Sequence, residues 1–335
     1  MNPPFIVAEI SASHLGDRNR AIRLVEVAKD AGADAVKFQF WTPGTMALGQ
    51  DVIQAGPWAG RKLSDLYAEA QTPLEWIPGL MAAGRRVGIE VFGSVFDLNA
   101  LEELERRNCP RYKIASFEIL DLDLIDAVNR TGKPVIISTG MANAQEILYA
   151  ADRVEQTRLT LLHCSSAYPA PLNSLNLEAI RTLQRLYGVA VGFSDHTMTH
   201  HAAALAVAAG ATMIEKHITL NATDGGPDAD FAATPSEFAE MVKEAKATAT
   251  IMGTGILGCN RDELIHRDLR RTLHYAQDLS TGTMIQRDHL TTCRPGNGLY
   301  PVEIERVLNH PIAHDVRRGD PVTRRSAGLA EIGGG

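Results

Sequence analysis

The chain lacks any excess of positive charge: over 335 residues, 33 Lys and Arg stand against 40 Asp and Glu, a net charge of −7. A polyphosphate backbone or an anionic membrane surface selects a basic stripe, and none is visible, so neither nucleic acid nor membrane is expected as a partner. Any anionic ligand must then be held by a few local lysines and backbone donors. Cysteine is scarce: Cys109, Cys164, Cys259 and Cys293 are widely spread, with no C-x-x-C pair and no metal-ligand spacing. Neither a disulfide framework nor a thiolate metal centre is expected, and reduced thiols in a cytoplasm are the default. Long apolar runs are missing too, and "MNPPFIVAEIS" has no basic region ahead of an apolar stretch, so export and membrane insertion are not expected.

What is present is a 45% hydrophobic chain, long enough to bury a large core. Short Val-, Ile- and Phe-rich runs alternate with segments of helical spacing, the pattern of repeated βα units. The expected strands are 5–11, 35–40, 90–95, 111–116, 134–140, 159–166, 190–196 and 213–219. Between them lie helical segments such as "NRAIRLVEVAKDAG" and "HAAALAVAAG", each closed by a glycine suited to the left-handed C-cap. Eight such units in about 250 residues predict an α/β fold, a (β/α)8 TIM barrel over 1–255. Residues 256–270 read as a linker. From 271 to 335 the texture changes to short strand-like runs broken by turn signals, predicting a small, mostly β domain.

The stretch "MIEKHITL" (213–220) sets three ionisable residues in the middle of a strand that should be core. Buried charge is costly unless paired, hydrogen-bonded or ligated, so these residues are expected to line a site. In a barrel that site lies at the carboxyl ends of the strands. Side chains alternate along a strand, so Glu215 and His217 share a face, as do Ser194 and His196, Lys37 and Gln39, and Glu9 and Ser11. Singly, a strand-end Lys is more often a solvated rim residue and a lone His a hydrogen-bonded core residue; together they converge on one mouth. His196 and His217, on neighbouring strands, are candidate ligands of one divalent metal, with Asp195 and Glu215 as acceptors that would fix the imidazole tautomers. Lys37 and Lys113 are candidate counter-charges for an anionic substrate, with Ser94, Ser116 and Ser138 adding hydroxyl donors. Lys113 also suits a Schiff-base nucleophile, and the sequence does not separate the two roles.

Across nearly the whole chain, "FIVAEISASHLG", "AVKFQF", "YKIAS", "VIISTGM", "LLHCSSAYPAP", "VGFSDHT", "IEKHITL", "GGPDADF" and "RPGNGLYP" resemble, in order, the sialic acid synthase family of nonulosonate synthases. "WAGRKLSDLYAEAQTPLEW" and "TDGGPDADF" look more like its pseudaminate branch than its neuraminate branch. The resemblance implies a TIM barrel followed by an antifreeze-like (SAF) domain, a domain-swapped homodimer, and condensation of phosphoenolpyruvate with an open-chain N-acylated amino sugar, releasing phosphate. It implies a divalent cation, Mn2+ before Mg2+ or Co2+. By motif, Lys37, Ser94, Lys113, Ser116, Ser138 and Ser194 match phosphoenolpyruvate-binding positions, and His196 and His217 match metal ligands, with His217 also in a catalytic role. Glu9 matches the catalytic carboxylate. Gln39, Tyr168 and Asp228 match positions near the sugar, and Arg294 matches an arginine reaching the N-acyl group from the partner subunit.

The chain departs from the family pattern at the mouth. Ser13 and Leu15 stand at usual asparagines, Phe40 at a usual Thr, Val95 at a usual Pro, and Ser166 where the neuraminate branch has Asn. Trp58, Trp76 and Phe231 are aromatic residues that would suit a less polar pocket, although loop packing is their simpler role. Rival readings remain at this stage: an N-acetylneuraminate or legionaminate synthase of the same family, a barrel aldolase using free pyruvate, either metal-dependent or through Lys113, and a catalytically silent sugar- or ice-binding protein.

Overall fold

The computed structural model describes residues 2–42 and 44–330; residues 1 and 43 of the expected barrel and residues 331–335 of the expected small domain lie outside the described residues. The chain forms two compact units, one through Thr254 and one from Gly255 onward.

In the first unit, β1 (Phe5–Glu9), β2 (Ala35–Phe40), β3 (Glu90–Val95), β4 (Tyr112–Ile114), β5 (Val135–Ser138), β6 (Leu159–Cys164), β7 (Ala190–Asp195) and β8 (Met213–His217) pair in parallel and close into a barrel, β8 returning to β1. Around it lie α1 (Arg18–Asp30), α2 (Leu63–Ala70), α3 (Ile77–Val87), α4 (Leu98–Glu105), α5 (Leu122–Arg130), α6 (Ala144–Ala151), α7 (Ala179–Tyr187), α8 (His201–Ala208) and α9 (Pro235–Met252). The β2–β3 connection thus carries two helices, where one per strand was expected.

Outward-facing side chains such as Ile6, Val36, Phe38 and Phe40 are buried against these helices. Burying each such side chain contributes roughly 1.5–3 kcal/mol, so the helical shell stabilises the strands while the inward face is left for polar residues. Helix starts are fixed locally: Asp17 accepts from the backbone N–H groups of Asn19 and Arg20, and Asn143 and Thr234 form capping boxes with Glu146 and Glu237. Among the described residues no helix is long and apolar enough to cross a membrane.

β2 and β3 end where expected, but the other six strands are shorter than expected at their carboxyl ends. Ser11, Ser116 and His196 lie just beyond β1, β4 and β7, on loops rather than on strand faces. Ser11 has φ of 42° and opens a 3-10 turn over Ser11–His14, so it does not share a strand face with Glu9.

In the second unit, α10 (Leu264–Arg267) is an exposed turn of helix inside the expected linker. β9 (Thr272–Tyr275) and β10 (Leu290–Cys293) form an antiparallel pair, followed by α11 (Ile304–Val307). Leu273, Tyr275, Ile285, Val307, Ile312, Val316, Val322 and Ala327 make its separate core.

Candidate active site

Register decides which side chains meet. β1 sets Glu9 beside Lys37 of β2 on one side and beside His217 of β8 on the other. β3 sets Ser94 beside Lys113 of β4, and β7 sets Ser194 beside Glu215 of β8. Residues scattered over more than 200 positions of sequence therefore face one mouth.

Two buried lysines organise its floor. Lys37 Nζ donates to Ser94 Oγ at 2.9 Å and lies 2.5 Å from Glu9 Oε2 and 3.6 Å from Glu215 Oε2. Lys113 Nζ donates to Ser138 Oγ at 2.6 Å and lies 3.8 Å from Glu215 Oε1, which also accepts from Ser194 Oγ at 3.1 Å. Burial works against the Lys37 charge, but Glu215 and Glu9 more than compensate and hold its pKa above the ordinary value. For Lys113, burial and the positive Lys37 outweigh Glu215, and its pKa falls. Burial would raise Glu215, yet Lys113, Lys37 and His217 keep it well below the usual carboxylate range. Glu9 Oε2 and Glu215 Oε2 are buried without a hydrogen bond; Glu9 Oε1 accepts from Gln39 Nε2 at 2.9 Å. Both of those unbonded oxygens face the same buried ammonium, Lys37 Nζ, so the two carboxylates share one counter-charge.

Beside the lysines is a cradle built on Gly140. Its backbone N–H donates to Ser116 Oγ at 3.1 Å, and Ser116 Oγ is 3.2 Å from Cys164 Sγ. A Cβ at residue 140 would come within 2.2 Å of Ser166 Oγ, 2.8 Å of Cys164 Sγ and 2.9 Å of Ser116 Oγ. The Ser166 hydroxyl is buried without a partner, so glycine keeps open a polar space of anion-binding character. Gly140→Ala is expected to raise the KM for the anionic substrate at least tenfold with a smaller change in kcat, about 1.4 kcal/mol of lost binding, measured by steady-state kinetics. An unchanged KM would show that the hydroxyls simply move aside.

The two histidines sit across the mouth, ring centroids 5.5 Å apart. His196 Nδ1 is 2.8 Å from the Ser165 carbonyl, which only accepts, so Nδ1 carries the proton and Nε2 keeps a free lone pair. Burial, and then the neighbouring His217, lower the His196 pKa to about 3, so the ring is neutral across the working pH range. His217 Nδ1 is buried without a hydrogen bond, 3.5 Å from Asp228 Oδ2. Burial would raise Asp228, but His217, Ser11 and the Ala12 amide hold it below its ordinary value. Tyr168 packs on His196 at 4.4 Å, Phe231 on His217 at 4.9 Å, and Trp58 on Tyr168 at 5.5 Å, its Nε1–H donating to the Pro227 carbonyl at 2.7 Å. Trp58 and Phe231 thus form an aromatic wall of the mouth, while Trp76 packs on His14.

The donor set fits a divalent cation. A neutral imidazole with its second nitrogen held by a carbonyl, beside another with an unsatisfied nitrogen, is the arrangement metal-ligating histidines take. Charge supports the same fit: Glu9 and Glu215 already offset the two lysines, and Asp228 adds a further negative charge, so a multiply charged anion would need a cation beside it.

Asp195 and Glu215 do not fix the imidazole tautomers as expected. Asp195 points out of the barrel, where its Oδ2 accepts from Lys216 Nζ at 2.8 Å and its Oδ1 from the Thr197 amide at 2.9 Å. Glu215 serves the lysines. The acceptors facing the histidines are the Ser165 carbonyl and Asp228. Gln39, Tyr168 and Asp228 join the mouth; Arg294 follows β10 in the second unit and is exposed.

Two residues of the site escaped the sequence reading, Gly140 and Glu118. Glu118, on the 3-10 turn that Ser116 opens, has Oε2 buried without a partner, and burial, opposed in part by Lys113, raises its pKa to about 7. The only signal for it was a carboxylate two residues beyond a candidate phosphate-binding serine.

The NeuB family model matches residues 24–257, and the SAF domain model matches residues 270–324. The chain belongs to the NeuB family. Among its relatives, the pseudaminic acid synthase of Helicobacter pylori is 38% identical over 331 residues, covering 96% of this chain and 97% of the relative. The N,N'-diacetyllegionaminic acid synthase of Legionella pneumophila is 33% identical over 94% of this chain and 92% of its own length. The crystal structure of N-acetylneuraminic acid synthetase from Leptospira borgpetersenii, in complex with citrate, superposes with a TM-score of 0.72 at 34% identity, over 79% of this chain and 90% of that one. These likenesses bear out the family resemblance and the barrel-plus-SAF architecture read from the sequence.

Proposed function

We propose that this NeuB-family chain condenses phosphoenolpyruvate with an open-chain N-acylated amino sugar, giving a nine-carbon nonulosonic acid of the pseudaminate type and inorganic phosphate. The observation that carries the reading is the buried Lys37–Lys113 pair with its serines and the carboxylates of Glu9 and Glu215, in a fold whose relatives bear synthase names. Lys37, Lys113, Ser94, Ser138 and Ser194, with Ser116 and the space above Gly140, would hold the phosphate and carboxylate of phosphoenolpyruvate and fix its C3 toward the aldehyde.

His196 and His217 would hold a divalent cation, Mn2+ first in expectation, which when bound would polarise the sugar aldehyde. C3 of the enol bonds to the aldehyde carbon as the carbonyl π pair moves to the aldehyde oxygen, which takes up a proton to become a hydroxyl, and C2 is left electron-poor. Glu9, ion-paired through Oε2 to Lys37, takes a proton from the water that adds at C2; the C2–O bond to phosphate then breaks as the new C2 hydroxyl gives up its proton, releasing phosphate and the 2-keto acid. Gln39 keeps the Glu9 carboxylate oriented. The aromatic wall of Trp58, Tyr168 and Phe231 supports an acceptor poorer in hydroxyls than N-acetylmannosamine, in line with the pseudaminate branch.

A domain-swapped homodimer working in the cytoplasm belongs to the same proposal, with Arg294 contributing to acceptor binding. Arg294→Ala is expected to raise the sugar KM about tenfold or more, as for a lost charge-assisted contact of about 1.5–3 kcal/mol, and to leave the phosphoenolpyruvate KM nearly unchanged. Equal loss on both substrates would take Arg294 away from the acceptor. The reading itself is tested by phosphate release from phosphoenolpyruvate with Mn2+ and a panel of N-acylated amino sugars, followed by mass analysis of the product. Release matched one-to-one by a nine-carbon acid supports it. Turnover of pyruvate trapped by borohydride on Lys113, without phosphate release, would replace it with an aldolase.

A further inference from the structure

On the helical shell, two adjacent histidines and a distant glutamate converge on one point. His200 is the residue before α8, His201 is its first residue, and Glu244 lies in the middle of α9, the helix against which α8 packs. His200 Nε2 is 3.5 Å from Glu244 Oε1, and His201 Nδ1 is 3.1 Å from Glu244 Oε2. The two imidazole centroids are 4.2 Å apart at 60°. One potential ligand atom from each residue lies within 4.8 Å of the other two.

From this geometry we propose a second metal site, selective for zinc-class divalent ions and separate from the cation site in the barrel. A tetrahedral zinc ion with bonds of about 2.0–2.1 Å sets neighbouring donor atoms about 3.3–3.4 Å apart. Each imidazole is already at about that separation from one carboxylate oxygen, 3.5 Å to Oε1 and 3.1 Å to Oε2, and the three donors lie within 4.8 Å, so a small turn of the carboxylate or of one ring brings them around one ion. Two imidazoles and one carboxylate favour Zn2+, Cu2+ or Ni2+ over Mg2+ and Ca2+, which prefer all-oxygen shells. His201 is exposed while His200 and Glu244 are half-buried, which leaves the fourth position to water. An ordinary pair of surface histidines would splay apart, since successive residues on a helix point about 100° from one another. Here His200 precedes the helix, and that is what lets both rings turn to the same carboxylate.

An ion in this place would join the start of α8 to α9. The barrel histidines differ in kind: His196 and His217 lie buried at strand ends, whereas the surface site bridges two helices.

The test uses the full-length chain stripped with a chelator, then titrated with Zn2+ against a chromophoric competitor and with Co2+ by visible absorption. Otherwise wild-type protein should lose one equivalent of bound Zn2+ on His201→Ala, with Mn2+-supported phosphate release unchanged. In a His196→Ala/His217→Ala background, which removes the barrel imidazoles, one equivalent should remain. Adding His200→Ala, His201→Ala or Glu244→Gln should then weaken it by about 100-fold or more, above the 10–100-fold typical of an outer-shell loss. Co2+ at the same site should give the intense visible bands of four-coordination. Unchanged zinc stoichiometry and affinity in His201→Ala and in Glu244→Gln would overturn the proposal. So would the absence of any zinc equivalent beyond the barrel's own. Because the single variants test the site in an intact barrel, a folding failure of the double background leaves the result decisive.

Discussion

Glu9→Gln is expected to lower kcat by about 10²–10⁴-fold while leaving the KM for phosphoenolpyruvate equal or lower. The replacement keeps the size of the side chain and an oxygen able to accept from Gln39 Nε2, so the mouth should retain its shape. What it removes is one negative charge and the proton acceptor at Oε2. Lys37 then retains Glu215 Oε2, 3.6 Å away, as its buried counter-charge, and an incoming trianion meets one carboxylate fewer. Binding is therefore preserved or improved as the chemical step fails, a split that loss of folding would not produce. Steady-state kinetics, with calorimetric titration of phosphoenolpyruvate into the variant, measure the two halves separately. A kcat within tenfold of wild type would remove Glu9 from the proton transfer.

This result also shows what was legible in the sequence. Glu9, Lys37 and Glu215 could be assigned to one face because strand alternation is a local rule. The partners could not be assigned, because they depend on barrel register: the pairing of Glu9 with both Lys37 and His217 exists only once β8 closes on β1. Asp195 illustrates the failure. Its position next to His196 suggested an imidazole acceptor, but an odd step along β7 turns it outward to Lys216. Ser116, Ser11 and His196 read as strand residues because polar loop termini continue the extended pattern by a residue or two past the last ladder bond. Glu118 and Gly140 were invisible for a different reason: their roles lie in space kept empty and in an oxygen left unpaired, which composition and periodicity do not encode. The convergence of His200, His201 and Glu244 likewise needs two helices packed together, 43 residues apart in sequence.

Lys216→Met is expected to destabilise the barrel by about 3–5 kcal/mol, the typical cost of leaving one partner of a buried ion pair uncompensated. In "IEKH", Glu215 and His217 face the mouth, and Lys216, between them, faces the shell. Its Nζ donates to Asp195 Oδ2 and to the Thr197 carbonyl, both at 2.8 Å, and all three residues are buried. The pair thus ties β8, which ends in His217, to the β7 end that carries His196. Methionine fills similar volume but strands Asp195, whose remaining donor is the Thr197 amide. At about 2–4 °C per kcal/mol for a unit of this size, the melting temperature should fall by roughly 6–20 °C. Adding Asp195→Leu should restore much of the loss, because replacing both charges by apolar groups removes the orphan as well as the pair. The double variant then separates stability from positioning. If the pair also sets the histidines, Mn2+ affinity measured by electron paramagnetic resonance should stay weakened after the melting temperature has recovered. A small cavity of about 50 Å³ borders Lys216, Thr197 and Phe231. A single-variant loss below about 1 kcal/mol would mean that water entering there rehydrates Asp195, since an exposed pair contributes no more than that. In that case the charge between the two histidine strands would be a solvated one, and the rigidity of the mouth would have to come from the strand ladder alone.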